Sequence, residues 1–136
     1  MSSCIDTSNE QEQTIKSPNF PSWYGENRYC TWKIEAPVGK VVRLEFFSHD
    51  IGIPANYDTD TCNYDSLKVN DGSSSTSNLL AGLCGMGNQS EMTSTGNTLH
   101  LEFESRFYFG LNYTGFSLHY SFLGIFDKSS ETCVYF

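Results

Sequence analysis

Strict alternation between apolar and polar residues constrains this chain more than any other feature. Thr98-Leu99-His100-Leu101-Glu102-Phe103 and Gly115-Phe116-Ser117-Leu118-His119-Tyr120-Ser121-Phe122 both repeat with a period of two. Side chains of a β-strand point alternately to its two faces, so each stretch must have one dry and one wet face. Cys30-Thr31-Trp32-Lys33-Ile34 alternates as well, and Val41 to Phe47 carries the same period with one slip. Tyr64 to Val69 reads as a further strand, closed by the turn residues Asn70-Asp71-Gly72. No stretch sustains the three-four apolar spacing of an amphipathic helix. The apolar sets Trp32, Ile34, Leu44, Phe46, Leu67, Val69, Leu99, Leu101, Phe103, Phe116, Leu118 and Tyr120 are therefore assigned to the core.

Between the strands lie segments rich in Gly, Pro, Ser and Asn: Ser17 to Pro21, Ala36 to Gly39, Gly52 to Asn56, Ser73 to Asn78 and Gly85 to Asn88. Short strands separated by such loops describe an all-β sandwich or barrel. The 136 residues suit one domain, and a chain of this size buries roughly two thirds of the surface it exposes when unfolded. Ten Phe, eight Tyr and two Trp supply core volume. No internal repeat or long linker divides the chain, while the stretch from Gly124 onward breaks the alternation and reads as a tail.

Sixteen acidic against eight basic residues give a net charge of −8, which repels phosphate backbones and excludes nucleic acid as a partner. No run of apolar residues is long enough for a transmembrane segment. The start, Met1-Ser2-Ser3-Cys4, lacks the basic and apolar regions of a signal peptide, so we expect a mature domain excised from a longer protein. The five cysteines, Cys4, Cys30, Cys62, Cys84 and Cys133, contain no Cys-x-x-Cys pair. That spacing favours disulfides over a zinc or redox motif, and hence an oxidising compartment, without revealing the connectivity. Asn88-Gln89-Ser90 and Asn112-Tyr113-Thr114 fit the N-glycosylation acceptor pattern.

Catalytic chemistry finds little support. No Gly-x-Ser-x-Gly elbow occurs. His49, His100 and His119 lack metal-ligand spacing, and the last two fall on the polar faces of their strands. Asp58-Thr59-Asp60 begins like an EF-hand loop, but Cys62 and Asn63 occupy its fifth and sixth positions.

Read in order, the motifs are Cys4; Ile15-Lys16-Ser17-Pro18-Asn19-Phe20-Pro21 with Tyr24; Cys30-Thr31-Trp32-Lys33-Ile34 with Pro37; and Leu44-Glu45-Phe46. They continue with Cys62-Asn63-Tyr64-Asp65-Ser66-Leu67-Lys68-Val69 and Asp71-Gly72; Cys84-Gly85; Leu99 to Phe103; and Gly115 to Tyr120. This succession resembles the CUB domain family of extracellular modules. The resemblance covers residues 4–122 and leaves 123–136 as a tail or the start of a linker. It implies a two-sheet antiparallel β-sandwich with jelly-roll topology, no catalysis, and bridges Cys4–Cys30 and Cys62–Cys84. Cys133 is then left over for an intermolecular disulfide.

Many members of the family hold calcium through a Tyr after the first Pro-rich loop, a Glu before the third Cys, the Asp of the Tyr-Asp pair, and an Asp near the last strand. Tyr24 and Asp65 match two of these positions, whereas Gly52 and Arg106 fall on the other two. We therefore expect no cofactor, with Tyr24, Asp65, Asp58 and Asp60 as the residues left to serve an ion. The expected function is recognition of an extracellular protein. Arg106, Phe107, Tyr108, Phe109 and Tyr113 form the proposed contact loop, since aromatic and Arg side chains dominate interface hot spots. The rivals are a glycan-binding module similar to the spermadhesins and an accessory domain of a secreted protease. Non-reducing peptide mapping is expected to join Cys4 to Cys30 and Cys62 to Cys84, leaving Cys133 out of both; a Cys30–Cys62 peptide would contradict the assignment.

Overall fold

The computed structural model describes residues 13–54, 61–88, 90–106 and 112–124. Among these, every regular element is a strand: β1 (Thr14–Lys16), β2 (Tyr29–Glu35), β3 (Lys40–Ile51), β4 (Ser66–Asp71), β5 (Asn78–Leu83), β6 (Gly85–Gly87), β7 (Ser90–Thr93), β8 (Thr98–Glu104) and β9 (Gly115–Gly124). They form two antiparallel sheets. One runs β2-β8-β4-β5, and the other runs β1-β9-β3, with β6 and β7 pairing successive parts of the far side of β3.

The period of two decides which residues meet between the sheets. In β2, Cys30, Trp32 and Ile34 are buried while their neighbours are exposed, and β8 repeats the pattern with Leu99, Leu101 and Phe103. Their register is direct, with Trp32 opposite Leu101 and Ile34 opposite Leu99. The facing sheet contributes Val42, Leu44, Phe46, Phe116, Leu118 and Tyr120, and Phe116 meets Trp32 edge-on with ring centroids 6.0 Å apart. All twelve residues assigned to the core from the sequence are buried.

The slip in β3 has a structural counterpart. Phe46 pairs with Leu118 and His49 with Phe116, so β3 spends one extra residue against β9. Such a bulge bends and twists its strand, and the pairing that resumes beyond it brings the fully buried Ile51 onto the core.

Four expectations need correction. Tyr64 and Asp65 precede β4 instead of opening it, and Asn70 and Asp71, read as turn residues, end that strand paired with Leu79 and Asn78. Gly85 to Gly87, read as a loop, forms β6. Glycine is required there because a side chain at Gly87 would run into the His49 ring and one at Gly85 into Pro54, with φ at Gly85 positive. β9 also continues through Leu123 and Gly124, which the pattern placed in the tail, because Val41 and Lys40 offer pairing partners.

Cys62 and Cys84 form a disulfide, tying the approach to β4 to the exit of β5. Cys30 is disulfide-bonded as well; Cys4 and Cys133 lie outside the described residues. Among the described residues no helix is long and apolar enough to cross a membrane.

Candidate functional site

At one end of the sandwich, three segments distant in sequence converge on a buried carboxylate. Asp65, immediately before β4, has no exposed surface. A charge taken out of water needs strong hydrogen-bond donors in exchange. Tyr24 supplies one, its hydroxyl donating to Oδ2 at 2.5 Å, and the backbone N–H of Arg106 supplies the other, donating to Oδ1 at 2.8 Å. Hydrogen bonds to an ionised acceptor are roughly twice as strong as neutral ones. The Tyr24 ring is itself fully buried and packs edge-on against Phe103 of β8 at 5.0 Å.

The surrounding backbone is knitted by Ser105 and Arg28. The Ser105 hydroxyl donates to the Gly25 carbonyl at 2.8 Å and accepts from the Arg28 N–H at 2.9 Å, while the Ser105 N–H donates to the Arg28 carbonyl at 2.9 Å. Arg28 closes the loop by donating its Nε–H to the Tyr24 carbonyl at 2.9 Å. Gly25 has φ of +93°, a backbone conformation that favours glycine, and a Cβ there would sit 2.8 Å from Arg28 Nε and push that side chain aside. Neither Ser105 nor Arg28 stood out in the sequence. The available signal was Ser105 standing where the β8 alternation calls for an inward, apolar residue.

Arg106 splits its backbone from its side chain. Its backbone serves Asp65, while its guanidinium turns outward, 57% exposed, and leans on Glu104 at 3.7 Å. Tyr113 is half-buried and packs against the core. Phe107, Tyr108 and Phe109 lie outside the described residues. Asn88 and Asn112 are both exposed. Asp50, next to the β3 bulge, accepts from the Thr114 N–H and hydroxyl, each at 3.3 Å.

Calcium demands six to eight oxygens with several carboxylates. Among the described residues the donor set falls short of that: each oxygen of Asp65 already accepts one protein hydrogen bond, Gly52 brings no side-chain oxygen, and no group of three or more His, Cys, Asp or Glu side chains converges. Asp58 and Asp60 lie outside the described residues. Removing the hydroxyl in Tyr24→Phe leaves one buried carboxylate oxygen without its donor, which costs about 1–3 kcal/mol. Urea unfolding is expected to show that loss with an unchanged slope; full stability in Tyr24→Phe would refute the role given to the hydroxyl.

The comparisons with known proteins agree with this architecture. The model of the CUB domain matches residues 4–120. Among the similar proteins, the exoskeleton protein RP43 of Riftia pachyptila is 40% identical over 98 residues, which is 72% of this chain and 22% of that protein. The full extracellular region of zebrafish Gpr126/Adgrg6 superposes with a TM-score of 0.69 at 28% identity, over 91% of this chain and 15% of that one. The MASP-1 CUB2 domain bound to Ca2+ superposes with a TM-score of 0.67 at 23% identity, covering 85% of this chain and 98% of that one, a likeness of fold. The chain spans between 9% and 22% of the length of the curated relatives it matches. With the family model spanning both sheets and these likenesses beside it, the chain belongs to the CUB domain family, whose members are non-catalytic modules of extracellular and cell-surface proteins.

Proposed function

We propose that this domain catalyses nothing, recognises an extracellular protein partner through the end of the sandwich that carries Arg106, and does so without calcium. The observation that carries the reading is the division of labour at Arg106. Its amide is anchored to a buried carboxylate, which fixes the backbone, while its guanidinium is presented to solvent. A rigid backbone under an exposed Arg lowers the ordering cost of binding, and Arg is among the residue types that dominate hot spots. The neighbouring Phe107, Tyr108 and Phe109 add aromatic types with the same preference. The net charge of −8 supports a partner that is basic where it meets the rest of this surface. A neighbouring domain or chain joined through Cys133 belongs to the same reading.

The test begins by presenting the domain to an array of secreted and cell-surface ectodomains and, in parallel, to a glycan array. Protein hits with a blank glycan array are expected; the reverse pattern would favour the glycan-binding rival. Replacing Tyr108 and Phe109 together by Ser is then expected to weaken the best hit by roughly 1–4 kcal/mol while the melting temperature hardly moves. Unchanged binding would remove the loop from the site. So would a stability loss of about 3 kcal/mol or more, because it would mark these rings as core packing.

A further inference from the structure

A second feature lies beside the Asp65 site, at the same end of the sandwich. A cavity of about 410 Å³ opens between the loop after β1, the end of β3, β6 and the start of β9. Its volume falls in the range of small-ligand pockets, about 300–1,000 Å³. Phe20, Pro21 and Met86 give it apolar walls; Asp50, Asn88 and Thr114 give it polar ones. Met86 is 84% exposed, a large apolar side chain standing in water at the rim.

The two N-glycosylation sequences, 24 residues apart in the chain (112 − 88), meet at this cavity. Asn88 lines it directly, and Thr114, the hydroxyl residue of the other sequence, lines it as well. Both asparagines are exposed. We propose that Asn88 carries an N-linked glycan whose first N-acetylglucosamine folds back into this cavity, making the sugar part of the packed surface. The chemistry matches on both sides. The ring presents an apolar face of C–H groups to Phe20 and Met86, and its hydroxyl and acetamide N–H groups donate to Asp50. That carboxylate has acceptor sites to spare, since its contacts from Thr114 are both long and fall on Oδ2 alone. Such contacts are too weak to capture a free sugar. A covalent tether changes this by converting binding into an intramolecular step at an effective concentration of the order of millimolar or above.

The inference stands independently of the protein-recognition reading, and its test separates the two. The domain is produced in a secretory cell line, Asn88 occupancy is mapped by peptide mass spectrometry, and the glycans are trimmed enzymatically to a single N-acetylglucosamine. The trimmed protein is expected to melt about 2–4 °C above Asn88→Gln treated in the same way. That gap is counted after subtracting the difference between wild type and Asn88→Gln made unglycosylated in a bacterial periplasm. In a Phe20→Ala background the gap is expected to vanish. Met86→Ser, at an exposed position that does not threaten folding, should shrink it. An unoccupied Asn88, the absence of a gap, or a gap untouched by both Phe20→Ala and Met86→Ser would each overturn the proposal.

Discussion

Two sheets share one dry layer, and that constraint governs the rest of the molecule. Every strand that borders the layer must deliver its apolar residues at a period of two, and a slip by a single residue would turn the whole set outward. The β3–β9 ladder shows both the rule and a local exception. Leu44 lies opposite Tyr120 and Phe46 opposite Leu118, and then a bulge absorbs the extra residue before His49 meets Phe116. The bulge lies where β3 leaves β7 and takes up β6, which puts Asp50 and the glycine-paired β6 at the mouth of the cavity. Packing in the middle of the sandwich thus fixes the geometry of its end.

The same end carries a polar cost of the fold. Asp65 has no exposed surface, and among the described residues no basic side chain forms an ion pair with it. Two directed donors hold it instead, one from the loop before β2 and one from the backbone beyond β8. An unpaired buried carboxylate would be far costlier than either bond alone is worth, so the carboxylate acts as a pin that keeps three segments in register. In the proposed reading the pin replaces an ion. On that proposal the site needs no cation, and Arg106 has a fixed backbone from which to face a partner.

How much of this was legible in the sequence divides along physical lines. The core was legible because alternation leaves its signature in residue identity: Leu99, Leu101 and Phe103 cannot all face water. β5, β6 and β7 were not, because Asn78 to Leu83 and Gly85 to Gly87 carry no alternation, and their strand character comes from pairing with β4 and β3. The need for Gly87 beneath the His49 ring is a contact between strands, invisible in either one alone. At the site, Tyr24 and Asp65 were legible as partners through the family resemblance, but their direct bond was not. The part played by Arg106 was hidden more deeply, since its amide is a group every residue but proline possesses. The side chain that drew attention to that position points elsewhere.

The central claim is that protein hydrogen bonds, and not a metal ion, hold the end of this CUB domain. Calorimetric titration of calcium into the oxidised domain, paired with thermal melts in millimolar calcium and in chelator, tests it most directly. A ligand that binds only the folded state must raise stability as its concentration passes its dissociation constant. The account predicts no saturable heat and one melting temperature in both buffers. Saturable binding with a rise of several degrees in calcium would contradict it.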